Sequence, residues 1–101
     1  MISVYLRIWE YLVLPDHGEV FTSTYGAEGA WAQLFSQGRG YRGTQLFRSL
    51  DLPDRFITVD AWTDQASWHA FLDRFGPAYN ILDTQTQGLT LEERALLEGV
   101  I

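Results

Sequence analysis

Asp60 stands inside an otherwise apolar run, Arg55 to Trp62, and Arg7 stands inside a second one, Ile2 to Leu14. A carboxylate in such a run either finds an opposite charge or has its pKa raised. If the two runs are neighbouring strands, a cross-strand Arg7–Asp60 ion pair satisfies both charges. The alternative is Asp60 poised as a base for an acidic substrate proton. Tyr25, Trp31, Trp62 and Trp68 are candidates for the walls of a flat aromatic pocket between helices and sheet. Plain core is the competing role, because aromatic side chains at helical and strand periods build cores first.

Other reactive types are sparse. His17 lies in a Pro-Asp-His-Gly turn, and His69 shares an i, i+4 helix face with Asp73. Two ligands do not close a metal site, so no metal is expected. The string Gly38-Arg39-Gly40-Tyr41-Arg42-Gly43 matches G-x-G-x-x-G. It follows a helical pattern and opens a strand, so no helix N-terminus points at a phosphate; it reads as a helix stop and strand start.

These residues are positioned by a short series of elements. Ile2 to Leu14 alternates, with Ile2, Val4, Leu6, Ile8, Leu12 and Leu14 on one parity and Tyr5, Arg7, Trp9, Tyr11 and Val13 on the other. After Pro15 and Gly18, apolar spacing of three and four residues predicts a helix from Glu19 to Gln37, kinked or split at Gly26 and Gly29. Tyr41 to Leu50 and Arg55 to Thr63 read as a hairpin about Asp51-Leu52-Pro53-Asp54. Asp64 is a candidate N-cap for a helix whose stripe is Trp68, Phe71, Phe75, Tyr79 and Leu82, bent at Gly76-Pro77. In the tail, Thr90 and Glu93 form a capping-box pattern, whereas the element series lacks its last strand; we place that strand over Ala95 to Ile101.

The order β-α-β-β-α-β predicts an α+β fold, the ferredoxin-like split βαβ motif, with two helices on one face of an antiparallel sheet. Tyr5, Trp9, Tyr11, Phe56 and Trp62 are assigned to the uncovered face. Together they would show about 1,000 Å² of aromatic surface, far more than a monomer ordinarily exposes. A homodimer packed sheet to sheet into an α+β barrel is the expected remedy.

The chain's 101 residues suit one domain spanning 1–101. With 13 acidic and 7 basic residues, the latter all Arg, the net charge is −6, which does not suit a phosphate-tracking surface; nucleic acid is not an expected partner. No cysteine is present, which excludes disulfides and thiolate chemistry and fits a cytoplasmic location. No run approaches the roughly 18 apolar residues of a membrane span, and Arg7 and Glu10 interrupt the N-terminal run, so the mature chain is expected to start at Met1.

Tyr25-Gly26-Ala27-Glu28-Gly29-Ala30-Trp31, Leu34-Phe35, Gly40-Tyr41-Arg42-Gly43-Thr44, Asp60-Ala61-Trp62-Thr63-Asp64 and Phe71-Leu72 together resemble the antibiotic biosynthesis monooxygenase superfamily of dimeric α+β barrels. The resemblance covers nearly the whole chain. It implies a cofactor-independent monooxygenase acting on a flat aromatic or quinol-type small molecule, or a non-catalytic dimer of the same fold that binds a small ligand or has a structural role. For the enzyme it implies Asp60 or His69 as base, Tyr25 or Arg7 as hydrogen-bond donor, and Trp31, Trp62 and Trp68 as pocket walls. Haem-degrading relatives use an Asn on strand one, and a Trp and an axial His on the second helix. Here strand one offers Arg7 and Trp9, the helical position is Phe71, the only Asn is Asn80, and no His follows His69, so no cofactor is expected.

Overall fold

The computed structural model describes residues 3–101. The elements are β1 (Tyr5–Val13), α1 (Gly18–Tyr25), α2 (Ala30–Phe35), β2 (Tyr41–Arg48), β3 (Arg55–Trp62), α3 (Gln65–Thr86) and, after a 3-10 turn, β4 (Thr90–Val100). All strand pairs are antiparallel in the order β2-β3-β1-β4, the ferredoxin-like α+β arrangement. Ile2, which the alternation includes, lies outside the described residues.

The expected long first helix is two helices. A Cβ on Gly29 would lie 2.4 Å from the carbonyl oxygens of Ser23 and Thr24, so only glycine lets α2 start against the last turn of α1. In α3, Asp64 caps the first turn by accepting from the Ser67 amide at 2.8 Å. The helix runs to Thr86 but kinks at Phe75 (φ −114, ψ 15), because Pro77 has no amide to give and its ring crowds the preceding turn. Both halves of α3 therefore lean onto the sheet. β4 begins at Thr90, five residues before the expected start at Ala95. Pairing along the whole of β1 outweighs the local capping-box pattern.

The faces of the sheet are the reverse of the sequence assignment. Tyr5, Tyr11, Phe56 and Trp62 are buried beneath the helices, where Phe21, Tyr25, Trp31, Phe35, Trp68 and Phe71 meet them. The uncovered face is aliphatic: Leu6, Ile8 and Leu12 from β1 lie in register with Ala61, Val59 and Arg55 of β3. Phe47 and Leu97 extend it and are more than half exposed. Both parities of β1 are apolar, so alternation alone could not say which faces in. The larger rings went where two helices could close over them, since rings bury the most area per residue. Glu10 also lies on the open face, bridging Arg55 and Arg94.

Candidate active site

Register brings four polar residues into one row across the helix-covered face. Thr44 of β2 pairs with Asp60 of β3, Asp60 with Arg7 of β1, and Arg7 with Glu98 of β4. Two bulges make this possible. Between Tyr41 and Gly43, and again opposite Ile8 and Trp9, one strand carries an extra residue. Each bulge resets the alternation, so that Tyr41 and Thr44, and likewise Glu93 and Glu98, share a face despite odd spacing.

Over this row and the aromatic floor opens a cleft of about 540 Å³ with its mouth counted. It is walled by Trp9, Tyr11, Tyr25, Trp31, Phe35, Trp68 and Tyr79, with Arg7, Asp60, Asp83 and Glu93 supplying charge. Tyr25 ends α1 and Trp31 is the second residue of α2, so the glycine break between them shapes one wall. Trp68 and Tyr79 come from opposite sides of the α3 kink and meet edge to face at 6.1 Å.

The expected Arg7–Asp60 ion pair does not form. Arg7 is held by Glu98 and by the Tyr5 hydroxyl at 3.2 Å, with its guanidinium 4.2 Å above the Trp68 ring. Asp60 instead accepts from Thr44 Oγ1 at 2.6 Å. Burial dominates its electrostatics and pushes its pKa up to about 6, against the opposing pull of the Thr44 hydrogen bond and the Arg7 charge. Burial also raises the tyrosines around it: Tyr25 to about 12, Tyr11 higher still, and Tyr79 above its ordinary value. Glu93 is raised by burial and then by the Asp83 charge.

Of the residues singled out from sequence, Asp60, Arg7, Tyr25, Trp31 and Trp68 line the cleft. Trp62 does not: it is wholly buried under the floor, against Phe35, Tyr41, Trp68 and Phe71. His69 is exposed, because Trp68 and Phe71 take the inward side of α3 and turn the residue between them to solvent. The Tyr25 hydroxyl is engaged with Thr86 at 3.2 Å and Glu93 at 3.4 Å, whereas the Tyr79 hydroxyl has no protein partner among the described residues. Sequence reasoning missed Thr44, Tyr79, Asp83, Glu93 and Glu98. Tyr79 and Asp83 continue the inward stripe of α3 beyond its kink, a signal the periodicity does carry. Among the described residues no group of three or more His, Asp or Glu is placed to hold a metal ion, and no helix is long and apolar enough to cross a membrane.

The family model of the antibiotic biosynthesis monooxygenases matches residues 6–75. The chain belongs to that family. The match takes in Arg7, Tyr25, Trp31, Thr44, Asp60 and Trp68 and leaves out the cleft residues of late α3 and β4. SnoaB, a cofactor-independent oxygenase from Streptomyces nogalater, superposes at TM-score 0.69 with 19% identity, over 100% of this chain and 92% of its own. A candidate antibiotic biosynthesis monooxygenase from Nitrosomonas europaea gives 0.69 and 17%, over 95% and 88%. One from Bordetella bronchiseptica gives 0.69 and 19%, over 100% and 96%. Identities this low speak for the monooxygenase fold alone. No sequence among the curated proteins matches significantly.

Proposed function

We propose that this member of the family is a cofactor-independent monooxygenase of a flat aromatic or quinol-type small molecule, with Asp60 as the base. The observation that carries the reading is Asp60 itself: a carboxyl in a cleft walled by seven aromatic rings, one oxygen engaged by Thr44 and the other without a partner among the described residues, whose pKa burial pushes up to about 6. Near neutral pH such a base is ionised yet holds a proton well enough to take one from carbon.

For a methylene group flanked by aromatic rings, the steps balance without an added electron source. Asp60 takes one proton, and the delocalised carbanion passes an electron to dioxygen. The radical and superoxide join in a new C–O bond, and the peroxide accepts the proton back from Asp60. Loss of water, which removes the second C–H proton, leaves a carbonyl: CH2 and O2 become C=O and H2O. Where a ring carbonyl is conjugated with that carbon, as in an anthrone, Arg7 and the Tyr79 hydroxyl, which has no partner among the described residues, are the cleft donors for the resulting enolate oxygen, since the Tyr25 hydroxyl is already engaged. Stacked rings select a planar substrate and exclude water from the carbanion.

The aliphatic open face supports a homodimer formed by packing sheet on sheet. Leu12, Phe47 and Leu97 are 37%, 52% and 57% exposed on it, and a two-fold contact would cover them in both copies at once.

Oxygen uptake with a panel of anthrones and quinols, without flavin or metal, tests the function. Uptake that Asp60→Asn abolishes supports it. Wild-type uptake no greater than that of the variant overturns it; tryptophan quenching by the same compounds would then make the protein a ligand-binding dimer.

A further inference from the structure

The glycine string at 38–43 remains without a role in a phosphate site, and its last glycine lies at the β2 bulge. Gly43 has φ +117, a region closed to most side chains, although no atom lies within 4 Å of where its Cβ would be. Backbone conformation, and not lack of space, therefore calls for glycine here. The bulge has a local effect: Tyr41 pairs with Trp62 and Thr44 with Asp60, so three steps along β2 match two along β3. In a regular strand the three-residue spacing would point Tyr41 to the opposite face from Thr44.

With the bulge, the Tyr41 hydroxyl lies 2.5 Å from Thr44 Oγ1, and Thr44 Oγ1 lies 2.6 Å from Asp60 Oδ1. Thr44 has a single hydroxyl proton and gives it to the carboxylate, so the Tyr41 hydroxyl must donate to Thr44. The chain thus has a direction, and each bond polarises the next toward the charged end. It engages one carboxylate oxygen and leaves the other for the cleft. Thr44 is buried, while Tyr41 is only partly so.

We propose that the Gly43 bulge sets Tyr41 and Thr44 as a pair of positioning residues, a two-hydroxyl chain that holds Asp60 ionised and aims its free oxygen into the cleft. This rests on the reading of Asp60 as the base. Among the other groups facing Asp60, the Arg7 charge also favours the ionised form, but it acts through space without bonding to the carboxyl. Arg7 of β1 is engaged by Glu98 and Tyr5, and Tyr11 of β1 gives no hydrogen bond to it. Tyr79 and Asp83 of α3, Tyr25 of α1 and Glu93 of β4 line the cleft without bonding to it.

The test is the titration of the Asp60 carboxyl by carbon-13 NMR in the full chain without substrate, with Asp60→Asn assigning the signal. Removing a hydrogen bond to the charged form disfavours that form, so Thr44→Val is expected to raise the midpoint by about one pH unit. Thr44→Ser should keep the wild-type midpoint, and Tyr41→Phe should raise it by a smaller amount. An unmoved midpoint in folded Thr44→Val, or a Thr44→Ser shift as large as that of valine, overturns the proposal. Should Thr44→Val not fold, Tyr41→Phe decides: an upward shift supports the chain and none refutes it. Substrate plays no part in this titration, so shifted midpoints beside absent oxygen uptake would sink the oxygenase reading while sustaining the positioning role. An acid limb of kcat/KM that moves with the midpoint supports both.

Discussion

Arg7 and Asp60 are Cα partners across β1 and β3, yet the guanidinium turns away to Glu98, Tyr5 and the face of Trp68. Asp60 is left with a hydroxyl for company instead of a charge, which is why burial wins and its pKa goes up. Glu98→Gln is therefore expected to release Arg7 toward Asp60 and lower the Asp60 midpoint by about one unit. Stability should change by less than about 1 kcal/mol, because Glu98 is half exposed. Carboxyl NMR and a urea melt check the two halves of this expectation.

The raised pKa fixes a pH profile. The base works ionised, so kcat/KM is expected to rise as pH passes about 6 and then level off. A pH series of oxygen uptake reads this directly; a limb near the ordinary carboxylate range would contradict it.

Stability runs the other way. The folded carboxyl keeps its proton up to about pH 6, while the unfolded one releases it near its ordinary value of 3.8. In that window the native state binds more protons, so this group's contribution falls as pH rises from about 4 to about 6 and stays low above. Asp60→Asn should therefore be more stable than wild type at neutral pH, by about 3 kcal/mol, with the gap closing near pH 4. Denaturant melts at both ends of the range check the sign.

Trp62 and His69, both candidates from sequence, should behave in opposite ways. Trp62→Ala empties a wholly buried site and should cost about 3 to 5 kcal/mol. His69→Ala alters an exposed helix position and should leave stability within about 0.5 kcal/mol and oxygen uptake unchanged. Thermal melts with parallel rate measurements separate the two.

On the open face, Leu97→Glu or Phe47→Glu places a charge where the proposed dimer would bury it. Wild type is expected to sediment as a dimer at micromolar concentration and either variant as a monomer. A monomeric wild type would refute the sheet-to-sheet contact.

Much of the fold was legible. Gly26 and Gly29 announced the helix break, Gly76-Pro77 the bend in α3, and Asp64 its cap. Which parity of β1 faced inward was not, because alternation reports two faces and names neither when both are apolar. That Arg7 and Asp60 lie on neighbouring strands was legible, but the ion pair expected between them does not form, because the side-chain partners depended on Glu98, 91 residues from Arg7 along the chain. Thr44 and Glu93 escaped notice because each lies beyond a bulge, where simple alternation puts a residue on the wrong face.

β4 is the last strand of the sheet, and its far side offers a row of backbone donors and acceptors to any passing extended chain. Glu92, Glu93, Arg94 and Glu98 are spread along it among Leu91, Leu96 and Leu97. Continued β-stacking would set these like charges against one another in successive layers. Acids interspersed in this way disfavour edge-to-edge stacking, on a strand that pairs on one side only.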